Sequence, residues 1–312
     1  ALFHRHFLHQ NTRLENEVIA MRKIPEVRDD FALRGRCEVY RADLKSMASA
    51  NRLHQGVNLR GHQVWATYEH FQDLLVIRGI PADEDLLDIV DFFASNSDPN
   101  IFKERHALSQ SEFRKLIQPL IRTGHIVQDF RGGFRTVIPN SSVDPTELRK
   151  EYLRNMVKEF PIITLKQFMR LAGTPFKPEE IKSVLNSFEA DGTLIKGFLI
   201  EDLHEVCWGR KELLDEAKDI RPIRDFVLPP SDPISPYFAD VLKERFGFGS
   251  AYLVFKNAEP VAAFKANTRN KIIEVKDYEG SEKGWRIVKE FAWEHQMPLE
   301  TELRIGGKKM SR

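Results

Sequence analysis

Gly132-Gly133 stands between Arg131 and Arg135, and no other short pattern in the chain has so direct a chemical consequence. Paired glycines accept the backbone angles of a tight turn at the end of a hairpin. An arginine on such a tip reaches phosphate oxygens, or a narrow minor groove whose negative potential suits its fixed charge. Arg34-Gly35-Arg36 is a similar local signal, and Lys265 and Arg269 bracket Ala266-Asn267-Thr268, a segment that reads as a turn between two strands. Arg34, Arg131, Arg135, Lys265 and Arg269 are therefore the candidate contacts to a polyanion.

Other chemistry is not spelled out. Gly132-Gly133 and Gly306-Gly307 lie outside the strand-to-helix setting that a phosphate-cradling loop needs. On a helix His6 and His9 would share a face and His4 would not, but no carboxylates stand nearby at ligand spacing, so no metal is expected. Cys37 and Cys207 make neither a disulfide framework nor a zinc site, and neither has an adjacent histidine. No strained serine turn is present. No catalytic residue and no cofactor follow from the residue pattern.

The elements that must carry the basic residues are legible in part. ADEDLLDIVDFF, from Ala82, has apolar residues at helical spacing with acids in its first turns. SQSEFRKLIQPLIRTG opens on a capping signal from Ser109 to Glu112 and stops at Gly124, with Pro119 predicting a kink or a break into two short helices. Two apolar alternations, Ile126–Phe130 and Phe134–Ile138, then flank the glycine turn. Helices followed by a hairpin with a basic tip describe a winged helix. The grammar recurs: a helix from Pro145 to about Phe160, a shorter one ending at Gly173, a third closed by Gly192, and a β-rich Thr193–Ile200. Five prolines in residues 221–240 read as a stiff connector without a regular element. Beyond it the pattern predicts strands over Ser250–Asn257, Pro260–Ala266 and Lys271–Tyr278, a helix over about Ser281–Gln296 and a mobile tail, IGGKKMSR.

The expected fold is α+β: tandem winged-helix domains followed by a small C-terminal β-rich domain with a terminal helix. The expected divisions are an N-terminal helical or winged-helix-like region over 1–80, winged helices over 81–140 and 141–220, and connector plus β-rich domain over 221–312. The 312 residues are 42% apolar and 30% charged, with 22 phenylalanines, enough for several small cores. No apolar run approaches the length of a membrane span and no leader opens the chain, so a soluble cytoplasmic protein is expected, nucleoid-associated if prokaryotic. Residues 1–60 hold 11 Lys and Arg against 7 Asp and Glu, residues 61–240 hold 22 against 29, and residues 241–312 hold 14 against 10. Two basic ends thus flank an acidic middle, and if they meet they form one positive face.

Three stretches together carry a resemblance. DDFALRGRCEVYRADL (29–44), the double helix-plus-hairpin unit from about 82 to 207, and VLPPSDPISPYFADVLKERFGF followed by PVAAFKANTRNKIIEV occur in one order over nearly the whole chain. In that order they resemble the AlkZ/YcaQ family of winged-helix DNA glycosylases, which excise alkylated purines and unhook interstrand crosslinks. The resemblance implies tandem winged helices, places Asp232, Lys265 and Arg269 on the family's connector and strand positions, and makes double-stranded DNA, damaged or crosslinked, the partner.

Family members carry a Gln-x-Gln or Gln-x-Asp pair upstream of the Arg-Gly segment, thought to position the hydrolytic water. Residues 1–33 hold no such pair: Gln10 is followed by Asn11-Thr12, and Glu38 stands where relatives often carry His. Gln128-Asp129 belongs to the wing strand and does not transfer. Two accounts stay open, a clipped N-terminus or a member that binds without cutting. The leading expectation is a duplex-DNA-binding protein in DNA repair. The alternatives are an active glycosylase for alkylated or crosslinked purines, and a winged-helix scaffold for a protein partner.

Overall fold

The computed structural model describes Glu26 and residues 53–140, 142–200, 203–212, 225–232, 234–269, 272–294, 299–301, 303–305 and 308–310. The fold is α+β, with winged helices in tandem and a C-terminal β-rich portion. The chain divides into two compact units, one of residues 14–30 and 39–211 and the other of 1–13, 31–38 and 212–312. Arg34 and Cys37 lie outside the described residues, as do the histidines at 4, 6 and 9.

In the larger unit a short hairpin, β1 (His54–Val57) and β2 (Gln63–Ala66), leads into α1 (Tyr68–Arg78). A 3-10 turn at Glu84–Leu86 precedes α2 (Leu87–Ser95), followed by α3 (Pro99–Arg105), α4 (Gln110–Thr123), β3 (Ile126–Gln128) and β4 (Phe134–Thr136). The four strands run β2-β1-β3-β4 across one sheet. The Phe134 amide also donates to the Ser97 carbonyl at 2.8 Å, so the segment between α2 and α3 lies beside β4 as the first strand of a winged helix does.

This winged helix closes over aromatic rings. Phe92, Phe93, Phe102, Phe113 and Phe134 are buried with Ile117, Leu120 and Ile126, and Phe93 meets Phe92 and Phe134 edge to face at 5.0 and 5.5 Å. Each buried ring contributes about 1.5–3 kcal/mol from area alone. The capping box expected at Ser109 and Glu112 is present. The break into two short helices that Pro119 allowed is not. α4 is one uninterrupted helix because Lys115 and Pro119 are both exposed, so the carbonyl that loses its donor faces water.

The second winged helix repeats the plan. α5 (Pro145–Glu159), β5 (Ile162–Thr164), α6 (Leu165–Ala172), α7 (Pro178–Ala190), β6 (Leu194–Gly197) and β7 (Cys207–Arg210) follow in order. The strands lie β5-β7-β6, which is the spatial order Ser97, β4, β3 of the first winged helix. The wing loop is longer here, from 198 to 206, and Phe198 on it is 72% exposed.

In the smaller unit β8 (Phe226–Leu228), β9 (Tyr252–Lys256), β10 (Glu259–Arg269) and β11 (Ile272–Gly280) pair in sequence as antiparallel neighbours. β12 (Leu299–Thr301) and β13 (Leu303–Ile305) run parallel to β11, and β14 (Lys308–Met310) folds back on β13. The tail expected to be mobile is therefore strand in part. α9 (Glu282–Glu294) buries Val288, Phe291 and Ala292 against Val254, Phe264 and Tyr278, with Trp285 packed beside them. Gly280 has φ +143°, and a Cβ there would stand 2.4 Å from that of Ala262. Only glycine lets β11 turn into α9 against that strand.

The proline-rich segment is not a bare connector. β8 lies within it, a 3-10 turn covers Ser235–Phe238, and α8 (Ala239–Phe246) follows. Pro229, Pro230 and Pro236 lie outside the strands, where no ladder donor is needed, and polar groups near them bond to one another. The Asp232 amide donates to the Pro229 carbonyl at 3.0 Å, and the Asp232 carboxylate accepts from the Ile234 amide at 2.9 Å. Asp232 is 2% exposed, and in this turn it is a builder of backbone structure.

Candidate nucleic-acid interface

The tip of the first wing is organised by a carboxylate. Asp129 accepts from the Arg131 and Gly133 amides, each at 2.8 Å, while its own amide donates to the Gly133 carbonyl at 2.8 Å. Gly132 adopts φ +86°, and a Cβ on Gly133 would come within 2.7 Å of the Asp129 carboxylate. These bonds hold the loop closed and leave the Arg131 side chain exposed at its end.

Arg135 is exposed as well, but on the body of the wing instead of its tip. Along β4 the residues alternate: Phe134 and Thr136 face α2 and the phenylalanine cluster, with the Thr136 hydroxyl donating to the Val90 carbonyl. Arg135 faces the opposite side, where its guanidinium carbon lies 3.9 Å from the centre of the Tyr68 ring at the start of α1. Both arginines are therefore exposed on the wing, Arg131 at its tip and Arg135 on the face of β4 that carries Tyr68.

In the smaller unit Lys265 and Arg269 both lie within β10, so the turn expected between them is strand instead. The residues linking β10 to β11, 270 and 271, lie outside the described set. Ala266-Asn267-Thr268, read as a turn, are claimed by pairing, Ala266 with Val275 and Thr268 with Ile273. Lys265 is exposed at the site of a bulge, with its ammonium 4.9 Å from the centre of the Phe248 ring. Arg269 pairs through its backbone with Ile272.

The sequence reading passed over one surface. On α4, Phe113, Ile117 and Leu120 are buried while Ser111, Arg114, Lys115, Gln118 and Arg122 are exposed. The signal was available as Arg114-x-x-x-Gln118-x-x-x-Arg122, three polar positions at helical spacing opposite the apolar stripe.

Inside the larger unit, charge is also buried. Glu26 is 8% exposed, and its carboxylate accepts from Asn58 Nδ2 at 2.6 Å and lies 3.1 Å from His70 Nε2 and 4.0 Å from Arg60. Burial raises its carboxyl pKa, and the bonds and charges of His70, Arg60 and Asn58 bring it below the ordinary value. Asn58 in turn accepts from the Arg60 and His62 amides at 3.1 and 3.0 Å. Each group of this network is engaged in fixing the β1–β2 loop to α1, which makes it an internal tie. Cys207 is buried, and burial raises its thiol pKa above the ordinary value, the reverse of a reactive cysteine.

Among the described residues no cluster of His, Cys, Asp and Glu could hold a metal ion, and no helix is long and apolar enough to cross a membrane.

No family model matches the chain, and no characterised protein matches it by sequence. By structure it is similar to Streptomyces sahachiroi DNA glycosylase AlkZ. The two superpose with a TM-score of 0.66 over 97% of each chain, at 11% sequence identity. At that identity the likeness is one of fold, and it extends over both chains from end to end.

Proposed function

We propose that this chain binds duplex DNA and acts in the repair of damaged DNA. The observation that carries the reading is the shared fold with a DNA glycosylase over 97% of both chains. The wing of the first winged helix supports it, because its capped tip presents Arg131 to solvent as a cation suited to the phosphate backbone. Lys265 on its bulged strand is a further candidate contact, and Arg34 and Arg269 are carried as candidates from the sequence. Arg135, exposed on β4 with its guanidinium over the Tyr68 ring, is a candidate contact as well as a brace of the wing. The divisions expected at 81–140 and 141–220 belong to the same proposal, as two winged-helix modules of one binding protein.

The second reading is an active glycosylase that hydrolyses the N-glycosidic bond of alkylated or crosslinked purines. The named activity of the AlkZ neighbour favours it. Such cleavage leaves an electron-deficient sugar, so polar side chains must hold water on its face. No residue of this chain is assigned that part.

One gel experiment separates the readings. Excess protein is mixed with labelled duplexes carrying no lesion, an N-alkylated purine or an interstrand crosslink, and each mixture is run natively and after alkali. A shifted band without alkali-dependent breaks is the expected result. Lesion-dependent breaks establish the glycosylase reading, and an unshifted band on every duplex removes the DNA reading and leaves the protein scaffold.

A further inference from the structure

Resting on the DNA-binding reading, we propose that the outward face of α4 is the surface that engages the duplex, lying in its major groove, and that the first winged helix rather than the second docks there.

The face is defined by what is on it. Ser111, Arg114, Lys115, Gln118 and Arg122 are exposed and fall within about a third of the helix circumference at 100° per residue, and no carboxylate lies among them. Glu112, the acid of that first turn, sits at the margin and is occupied by the capping box, its carboxylate accepting from the Ser109 amide at 2.8 Å. An ordinary solvated helix sets acids three or four residues from its cations, where each pair is mildly stabilising. Here the four-residue steps from Arg114 lead to Gln118 and Arg122, the step from Lys115 leads to Pro119, and the one acid at such spacing, Glu112 three residues before Lys115, is engaged in the capping box. The side chains of the three cations form no ion pair or hydrogen bond with another described residue, so the face keeps its positive field for an external polyanion.

Its chemistry suits bases as well as phosphates. Arginine pairs with the O6 and N7 of guanine, glutamine with the N6 and N7 of adenine, and serine with either. From Ser111 to Arg122 the row spans about 17 Å at 1.5 Å per residue, enough to cross a major groove about 12 Å wide. Pro119 adds no long side chain that would hold the helix away.

The equivalent helix of the second winged helix is different. α7 exposes Lys182, Ser183 and Asn186, but Glu179 and Glu189 are exposed on it too. Glu189 lies 3.7 Å from the Lys196 ammonium on the neighbouring strand. Carboxylates on that surface oppose phosphate approach.

The test is fluorescence anisotropy with the full chain and a labelled random duplex of about 20 base pairs, at several salt concentrations from about 50 to 200 mM. Three proteins are compared: the unaltered chain, Arg114→Ala/Lys115→Ala/Arg122→Ala on α4, and Lys182→Ala/Asn186→Ala on α7. All five positions are exposed, far-UV circular dichroism reports whether each variant is folded, and the single substitution Arg114→Gln serves if the triple variant is not. The α4 variant is expected to bind more than about tenfold more weakly, with the slope of log affinity on log salt flattened by about one for each phosphate contact removed. The α7 variant is expected to stay within about twofold of the unaltered chain, because α7 is assigned no contact. Unchanged binding by the folded α4 variants, or an equal or greater loss in the α7 variant, overturns the assignment to α4 and leaves the DNA reading standing. Failure of the unaltered chain to bind any duplex at the lowest salt overturns the DNA reading, and this inference with it.

Discussion

The Arg135 guanidinium lies 3.9 Å from the centre of the Tyr68 ring, and the same tyrosine hydroxyl donates to the Thr136 carbonyl at 2.9 Å and accepts from the Ile138 amide at 3.0 Å. One aromatic side chain at the start of α1 therefore grips β4 through its face and its edge. Arg131, four residues earlier, stands free at the wing tip. Replacing the two arginines should separate stability from binding. Arg135→Ala is expected to lower unfolding stability by about 0.5–1 kcal/mol through loss of the cation–π contact, since Arg135 is exposed. Arg131→Ala should leave the urea midpoint unchanged and weaken duplex binding, most visibly at low salt. The reverse pattern in paired denaturation and anisotropy curves would assign Arg135 to the DNA.

Phe113 joins α4 to the centre of the aromatic cluster, with its ring 5.7 Å from that of Phe134 and 6.0 Å from that of Phe102. Phe113→Ala should cost about 3–5 kcal/mol, since a residue 2% exposed leaves a cavity that neighbouring rings fill poorly. Phe130, 39% exposed beside the wing tip, is the control, and its replacement by alanine should cost well under half as much. Urea denaturation followed by circular dichroism measures both, and equal costs would show that the cluster does not carry this winged helix.

Gly280→Ala should destabilise the C-terminal unit by about 1–3 kcal/mol, because the new methyl group must displace Ala262 at a backbone angle that alanine rarely adopts. Gly249, around which no atom comes within contact distance of an added Cβ, should tolerate alanine. Thermal melts of the two variants provide the comparison.

Acid should unfold the larger unit in two stages. Burial, with the charge of Arg135, lowers the His54 pKa below its ordinary value of 6.5, so the folded chain holds the ring neutral while an unfolded chain would take the proton. Stability is then complete above 6.5 and declines as pH falls toward the depressed folded value. His125, lowered by burial and by the charge of Arg78, adds to the same window. Glu26 has its folded pKa below its ordinary 4.5, so its contribution persists above 4.5 and is lost at lower pH still. Urea midpoints measured from pH 8 to 3.5 should fall first below about 6.5 and again below about 4.5. His54→Phe should flatten the first decline, and a midpoint that rises on acidification to pH 5.5 would contradict the assignment.

Local sequence determined a good deal about this protein. The capping box at Ser109 and Glu112, the glycine stops and the helical spacing of the apolar residues act within a few positions, and the helices and wing strands stand close to where those signals put them. The repeated order of helix, glycine stop and strand also follows from local grammar, which is why tandem winged helices were legible without any neighbour. Several features depended on pairing across distance. β1 and β2 are four residues each, too short for alternation to declare them, and β1 forms because β3 offers Gln128 opposite Gln55. The segment 266–268 has turn-like residues, yet β11 supplies a ladder that holds it as strand, and the short β13 and β14 are stabilised by one another and by β11.

The basic residues divide in the same way. Their presence is a fact of sequence, but their direction is set by the face of the element that bears them. Position along β4 turns Arg135 toward Tyr68, the carboxylate of Asp129 holds the tip that exposes Arg131, and burial of Phe113, Ile117 and Leu120 obliges Arg114, Gln118 and Arg122 to point outward. Packing on the opposite face decides which charges are presented to solvent, and that packing is a property of the tertiary structure.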